Sequence, residues 1–232
     1  MKRNLVMEHT WMKNSAVYAA EVKKFFNRLK RSGPKPALHE YDDPIKQLIY
    51  AVLSEDNSPT RAKTAVARLL ANTIDYNDLR VSTPTELASI IESDIPNALE
   101  RTSVLIEVLG SIYSRENSVA LNKSKTKNRR DARAYLEGLS GMTPYVLSGT
   151  MLWAFDEHAI PLDEQMLAVL KKEGLVDPDA TMAEAQGFLR RHISAGDAKL
   201  FTALLKRHTA QKTPRTPVST SETKSRKKAS RP

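Results

Sequence analysis

GLSGMTPYVLSG, residues 138–149, joins two helix-like runs through a short turn carrying Gly141, and the second run opens on Pro144 and Tyr145. Proline at the start of a helix presets φ and sacrifices an N–H that would have no intrahelical partner, so a new helix begins there. A tight glycine turn beside a helix N-terminus turns backbone N–H groups outward, which makes a natural seat for a phosphate. Glycine turns also join helices in ordinary helical proteins. The stretch alone therefore leaves two readings open, a plain connection or a hairpin that grips a phosphate backbone.

The flanking sequence is helical almost throughout, with no sustained strand alternation. Tyr18, Val22, Phe25, Phe26 and Leu29 form one apolar stripe that Gly33-Pro34 closes. DDPIKQLIYAVLSED (42–56) has an Asp cap, Pro44 in the first turn, and apolar residues at Ile45, Leu48, Ile49, Val52 and Leu53. Ser58-Pro59 starts a helix through Leu70, and Thr83-Pro84-Thr85-Glu86 reads as a capping box. A longer helix is expected to carry Leu99, Ser103, Ile106, Leu109 and Tyr113 inward. Tyr145 to Phe155 is apolar on nearly every side, so that helix should be the buried centre. Thr181-Met182-Ala183-Glu184 is a second capping box, and Asp197 is expected to cap a last helix through about His208. About ten helices result, an all-α architecture.

Composition narrows the chemistry. The chain of 232 residues has no cysteine, so disulfides, Cys-zinc sites and cysteine-held iron–sulfur clusters are excluded. The histidines show no metal-ligand spacing, and there is no P-loop or GxGxxG. MKRNLVMEHTWMK lacks an apolar run of signal-peptide length, and no stretch reaches the roughly 18 apolar residues of a membrane span. The expectation is a soluble cytoplasmic protein, nucleoid-associated if bacterial. Of the net charge of +9, residues 211–232 carry +6, with seven Lys or Arg against Glu222 alone. That Pro/Ser/Thr/Lys-rich tail cannot bury surface; it is expected to be disordered, adding affinity for nucleic acid or serving only solubility.

Two features carry candidate chemistry. Around the 139–144 turn, Lys123, Lys125, Lys127, Arg129 and Arg130 could add phosphate contacts. Some twenty residues later, HAIPLDEQML (158–167) places Asp163 after a short extended segment at the head of a helix. There it is either an N-cap or a lone carboxylate in a cleft that stabilises positive charge or activates water.

The order of these parts resembles the helix-hairpin-helix DNA glycosylases, the endonuclease III superfamily. An LxGxx hairpin is followed by a buried helix, Phe155, a short extended loop, Leu162-Asp163 and another helix. IYAVLSEDNSPTRAKTA resembles the family's early helix and duplex-probing Leu-Ser loop, and the similarity runs from about Asp43 to His208. The resemblance implies two helical lobes flanking a cleft. Residues 43–157 form a six-helix lobe with the hairpin; residues 1–42 and 158–210 form the other; residues 211–232 are the tail.

The resemblance also implies roles. Asp163 matches the catalytic aspartate, which stabilises the oxocarbenium character developing on the deoxyribose. Leu139, Gly141 and Thr143 fall in the DNA-binding hairpin, with Thr143 where the family prefers a second glycine. Tyr145 stands where bifunctional members carry a lysine; a phenol cannot form a Schiff base, so strand cleavage is expected to be absent. Glu55 and Asp56 are unusual beside a polyanion, and Asn57 is the candidate to fill a vacated base position. With Lys125, Lys127, Arg129 and Arg130 on the phosphates, the expected partner is double-stranded DNA, bound by a monomer. No cofactor is expected beyond a monovalent cation at the hairpin. Three functions remain in view: a monofunctional DNA glycosylase, a catalytically inactive relative that binds duplex or damaged DNA, and a helical protein whose partner is another protein.

Overall fold

The computed structural model describes residues 15–38, 40–121 and 128–212, and among these every regular element is an α-helix. In chain order they are α1 (Ser15–Arg31), α2 (Pro44–Ser54), α3 (Pro59–Ala71), α4 (Tyr76–Val81), α5 (Pro84–Ile91), α6 (Ala98–Glu116), α7 (Arg129–Glu137), α8 (Pro144–Ala154), α9 (Glu164–Lys172), α10 (Met182–His192) and α11 (Ala195–Lys212). Of these, α4 is the element that the apolar pattern does not announce; its six residues are held by an Asp75 cap on Asp78 N–H and bury Leu79 alone.

Local chemistry sets the starts. Proline opens α2, α3, α5 and α8, each behind a side-chain cap from Asp43, Ser58, Thr83 or Thr143. Both capping boxes form, Thr83 with Glu86 and Thr181 with Glu184. The last helix differs from expectation. It begins at Ala195, where Ser194 Oγ accepts from Asp197 N–H at 3.2 Å and donates back to the Asp197 carboxylate at 2.9 Å, and it runs to Lys212. Asp197 is thus the acidic third residue of the first turn and Ser194 the cap.

The centre of the fold is α8 against α2, with α3 and α6 packed on α2 and α7 on α8. Tyr145, Val146, Leu147, Gly149, Thr150, Met151 and Leu152 are all buried, as a helix apolar on every side requires. The helices approach closely at Gly149, where a Cβ would stand 3.4 Å from Ala51 Cβ. On the other side α1 and α9 pack on α11, which also reaches α8. The stripe expected on α6 is rotated: Leu99 and Ser103 are exposed, and Ala98, Arg101, Thr102, Leu105, Val108, Leu109 and Ile112 face inward. Two polar residues take core positions with partners, Thr102 donating to backbone carbonyls including Pro84 O at 2.9 Å and Arg101 pairing its two terminal nitrogens with the carboxylates of Glu55 and Glu100.

Ser194→Ala should destabilise the protein by about 1 kcal/mol, the usual cost of a lost N-cap, read as a lowered midpoint in urea unfolding. If Asp197→Ala costs clearly more than Ser194→Ala, the assignment of the cap is wrong.

Candidate active site

The hairpin between α7 and α8 takes its shape from one glycine. Gly141 has φ +77°, in the left-handed region, and a Cβ there would come within 3.1 Å of Glu107 Cβ and Val108 Cγ2 on α6. Both constraints demand glycine. Thr143, by contrast, has φ −78° and ψ 157°, an ordinary extended conformation suited to a helix cap. The turn thus has no left-handed requirement at Thr143. Its Oγ1 accepts from Val146 N–H and donates to the Glu55 carboxylate, each at 3.1 Å. Leu139 is buried and anchors the turn, Met142 N–H donates to Leu139 O, and Ser140 N–H is held by Ser111 Oγ at 3.1 Å. Arg129 and Arg130 are exposed on the first turn of α7. Lys125 and Lys127 lie outside the described residues, as do positions 213–232 of the basic tail.

Asp163 caps α9 with Oδ1, which accepts from Met166 N–H at 2.8 Å. Its Oδ2 accepts from Asp56 N–H at 3.1 Å and from the ammonium of Lys206. Asp163 is 2 % exposed and Lys206 7 %, so the pair is buried. Lys206 stands on α11, 43 residues further along the chain, with Nζ 4.9 Å from the Tyr145 ring centroid. Tyr145 is pinned in turn, its hydroxyl 3.1 Å from Ser54 Oγ at the end of α2. Burial, with Asp163 close by, pushes the phenol well above its ordinary range, so it stays protonated.

The loop after α2 is braced from several directions. Asp56 has φ +56°, and its carbonyl accepts from Gln165 Nε2 at 2.7 Å. Burial and the neighbouring Asp163 raise the Asp56 carboxyl above the usual carboxylate range. Glu55 is raised by burial, offset by Arg101, whose buried guanidinium binds it. Asn57 is 7 % exposed, and its amide nitrogen donates to Glu55 O and Asn97 Oδ1, both at 2.9 Å. In this arrangement Asn57 is a brace within the loop. Sequence reasoning reaches Asp163, Gly141, Thr143 and Tyr145, and misses Lys206, Arg101 and Gln165. No local pattern marks these three, because each finds its partner 43 or more residues away in sequence.

A cleft of about 600 Å³ opens beside the buried pair. Four helices supply its wall, with Gln47, Tyr50 and Ser54 from α2, Lys63 from α3, Tyr145 and Trp153 from α8, and Thr202 and Lys206 from α11. Asp163 does not line it; Lys206 lies on the wall and touches Asp163 behind. Among the described residues no group of three or more His, Asp or Glu side chains could hold a metal ion, and no helix is long and apolar enough to cross a membrane.

No protein-family model matches the chain, and no curated protein does. Solved structures do. The chain is 17 % identical to an endonuclease III in a non-covalent DNA complex, covering 81 % of this chain and 84 % of that one with a TM-score of 0.63. It is 16 % identical to the H. pylori 3-methyladenine DNA glycosylase bound to 1,N6-ethenoadenine, over 86 % and 99 % of the two chains, TM-score 0.61. It is 19 % identical to the Clostridium acetobutylicum 8-oxoguanine glycosylase/lyase bound to double-stranded DNA, over 88 % and 74 %, TM-score 0.60. The chain has the all-helical fold of the helix-hairpin-helix DNA glycosylases.

Two variants probe this geometry. Gly141→Ala should cost roughly 1–2 kcal/mol, the price of a side chain in the left-handed region, measured by denaturant unfolding. Lys206→Met should cost about 3–5 kcal/mol by leaving Asp163 buried and unpaired. Adding Asp163→Asn to Lys206→Met should recover much of that loss. If the double variant is no more stable than Lys206→Met, the ion pair is not what Lys206 contributes.

Proposed function

We propose that the protein is a base-excision DNA glycosylase that hydrolyses the N-glycosidic bond of a damaged or mismatched base, with Asp163 as the catalytic carboxylate. The observation that carries this reading is Asp163 itself, ionically paired at the head of α9 beside a base-sized cleft, in a fold whose solved examples include DNA glycosylases bound to DNA. The hairpin at Leu139, Gly141 and Thr143, with Arg129 and Arg130 and the basic residues outside the described range, would track the phosphates of a duplex bound between the two lobes. A base flipped into the cleft would rest among Tyr50, Tyr145 and Trp153. Positive charge growing on the deoxyribose is then stabilised by the Asp163 carboxylate. Lys206 covers that carboxylate without DNA, and its flexible four-carbon stem lets the ammonium turn aside when the sugar arrives.

Tyr145 makes the enzyme monofunctional on this reading. A buried, protonated phenol tied to Ser54 offers no amine, so water is the nucleophile and the strand is left intact. The reading includes a monomer and no cofactor. A monovalent cation at the hairpin is a further proposal; it would compete with Arg115, whose guanidinium already binds Gly138 O and Tyr135 O there.

A second reading rests on a specific observation. Both Asp163 oxygens are engaged and its side chain is fully shielded, which suits a relative that binds duplex or damaged DNA without catalysis. Duplexes holding uracil, a thymine–guanine mismatch, an oxidised pyrimidine or an alkylated purine separate the two. Alkali-dependent nicking that falls by about 10²-fold or more in Asp163→Asn supports the glycosylase; binding with no nicking on any duplex supports the inactive relative. Borohydride should trap no protein–DNA adduct. An adduct that disappears in Lys206→Gln would transfer the nucleophile's role to Lys206.

A further inference from the structure

We infer that the cleft beside Asp163 takes a neutral, carbonyl-bearing nucleobase that departs as an anion, and excludes bases that already carry positive charge. The inference rests on the glycosylase reading for its placement of the base. Its substance comes from the cleft's own wall.

The charges on that wall have one sign. Lys35, Lys63, Lys206 and Arg207 line the cleft, and among its described lining residues there is no carboxylate. Behind the wall, Asp163 is already matched by Lys206 and Glu55 by Arg101. A cationic base, such as a purine methylated on a ring nitrogen, would enter this field with no carboxylate on the wall to offset the repulsion. A neutral base meets no such barrier, and its carbonyl oxygens are attracted.

The hydrogen-bonding groups point to the same class. Gln47 is fully buried; its Oε1 accepts from Tyr41 N–H at 3.0 Å, and its Nε2 has no partner. Thr202, 5 % exposed on α11, likewise leaves Oγ1 without a partner. Both line the cleft, from opposite helices. Buried donors left unmade are costly, and a carbonyl oxygen is the group that satisfies an amide N–H. A site built on such a donor discriminates against bases that lack the acceptor.

The same charges act on the leaving group. When the bond between C1′ and the base nitrogen breaks, the electron pair goes with the base. A neutral base with an acidic ring system leaves as an anion, which the Lys206 ammonium stabilises once it has turned from Asp163. Water then adds its oxygen to C1′, releasing one proton to solvent, and the base anion takes up a proton afterwards. A base that is cationic at the start leaves neutral and gains nothing from these cations.

The test is single-turnover excision from duplexes carrying uracil, thymine opposite guanine, or 5-hydroxyuracil, against 3-methyladenine and 7-methylguanine. The neutral group should be released at least about tenfold faster, and Gln47→Met should slow its release by about tenfold, with thermal unfolding confirming a retained fold. Faster release of the methylated purines overturns the inference and leaves the glycosylase reading standing. If nothing is excised, that reading fails, and the cleft is then read by equilibrium binding of uncleavable 2′-fluoro nucleotides in duplex DNA. Tighter binding of 2′-fluorouridine than of its 7-methylguanine counterpart sustains the inference as recognition; equal or inverted binding overturns it.

Discussion

The buried ion pair between Lys206 and Asp163 is the constraint around which the rest of this molecule is arranged. Taking two charges out of water is expensive, and attraction repays it only when geometry is good and the remaining polar groups are satisfied. Here the carboxylate is satisfied by the α9 N-terminus and by Asp56 N–H, and the ammonium lies over the Tyr145 ring. Each contact comes from a different part of the chain: α9, the loop after α2, α8 and α11. The pair therefore fixes the position of four elements at once. Helix packing supplies the bulk of the stability, but this point specifies how the helix pair α9–α11 sits on the pair α2–α8.

That specification explains the acids in the loop after α2. Adjacent in one partly buried loop, Glu55 and Asp56 look like a liability. Glu55 is neutralised by the buried Arg101 and receives the Thr143 hydroxyl, which ties the loop to the hairpin. Asp56 adopts a left-handed backbone, and it is the main-chain N–H of this residue that reaches Asp163. The side chain takes a penalty from burial and from the neighbouring carboxylate. Asp56 is worth having for its backbone conformation and its place beside Gln165. Strain and unfavourable charge collect here, beside the buried Asp163 carboxylate, as they do at sites where position matters more than local stability.

What could be read from sequence, and what could not, follows the range of the interactions. Helix starts are local: Pro44, Pro59, Pro84 and Pro144 with their capping residues are chemistry within four positions, and the helices begin where that chemistry places them. Gly141 was legible for the same reason, since its left-handed φ is a property of the turn. The α6 stripe was misread because hydrophobicity stood in for burial. Arg101 and Thr102 face the core where Glu55 and Pro84 O, distant in sequence, accept hydrogen bonds from them. Ser194 was passed over for Asp197 because both residues of a reciprocal cap are good capping types, and only the backbone tells which precedes the first turn. Lys206 was invisible, one lysine among many on a helix whose polar and apolar residues are poorly segregated.

Asp163 shows why a helix cap and one half of a buried ion pair need not be alternatives. One oxygen closes the α9 N-terminus, which orients the carboxylate. The other meets the Lys206 ammonium and the Asp56 N–H. The combination buries the carboxylate together with its counter-ion, whose four-carbon stem also lines the cleft. The same side chain thus partners the buried carboxylate and forms part of the cleft wall, so the ion pair joins the packing of α9 and α11 to the shape of the cleft.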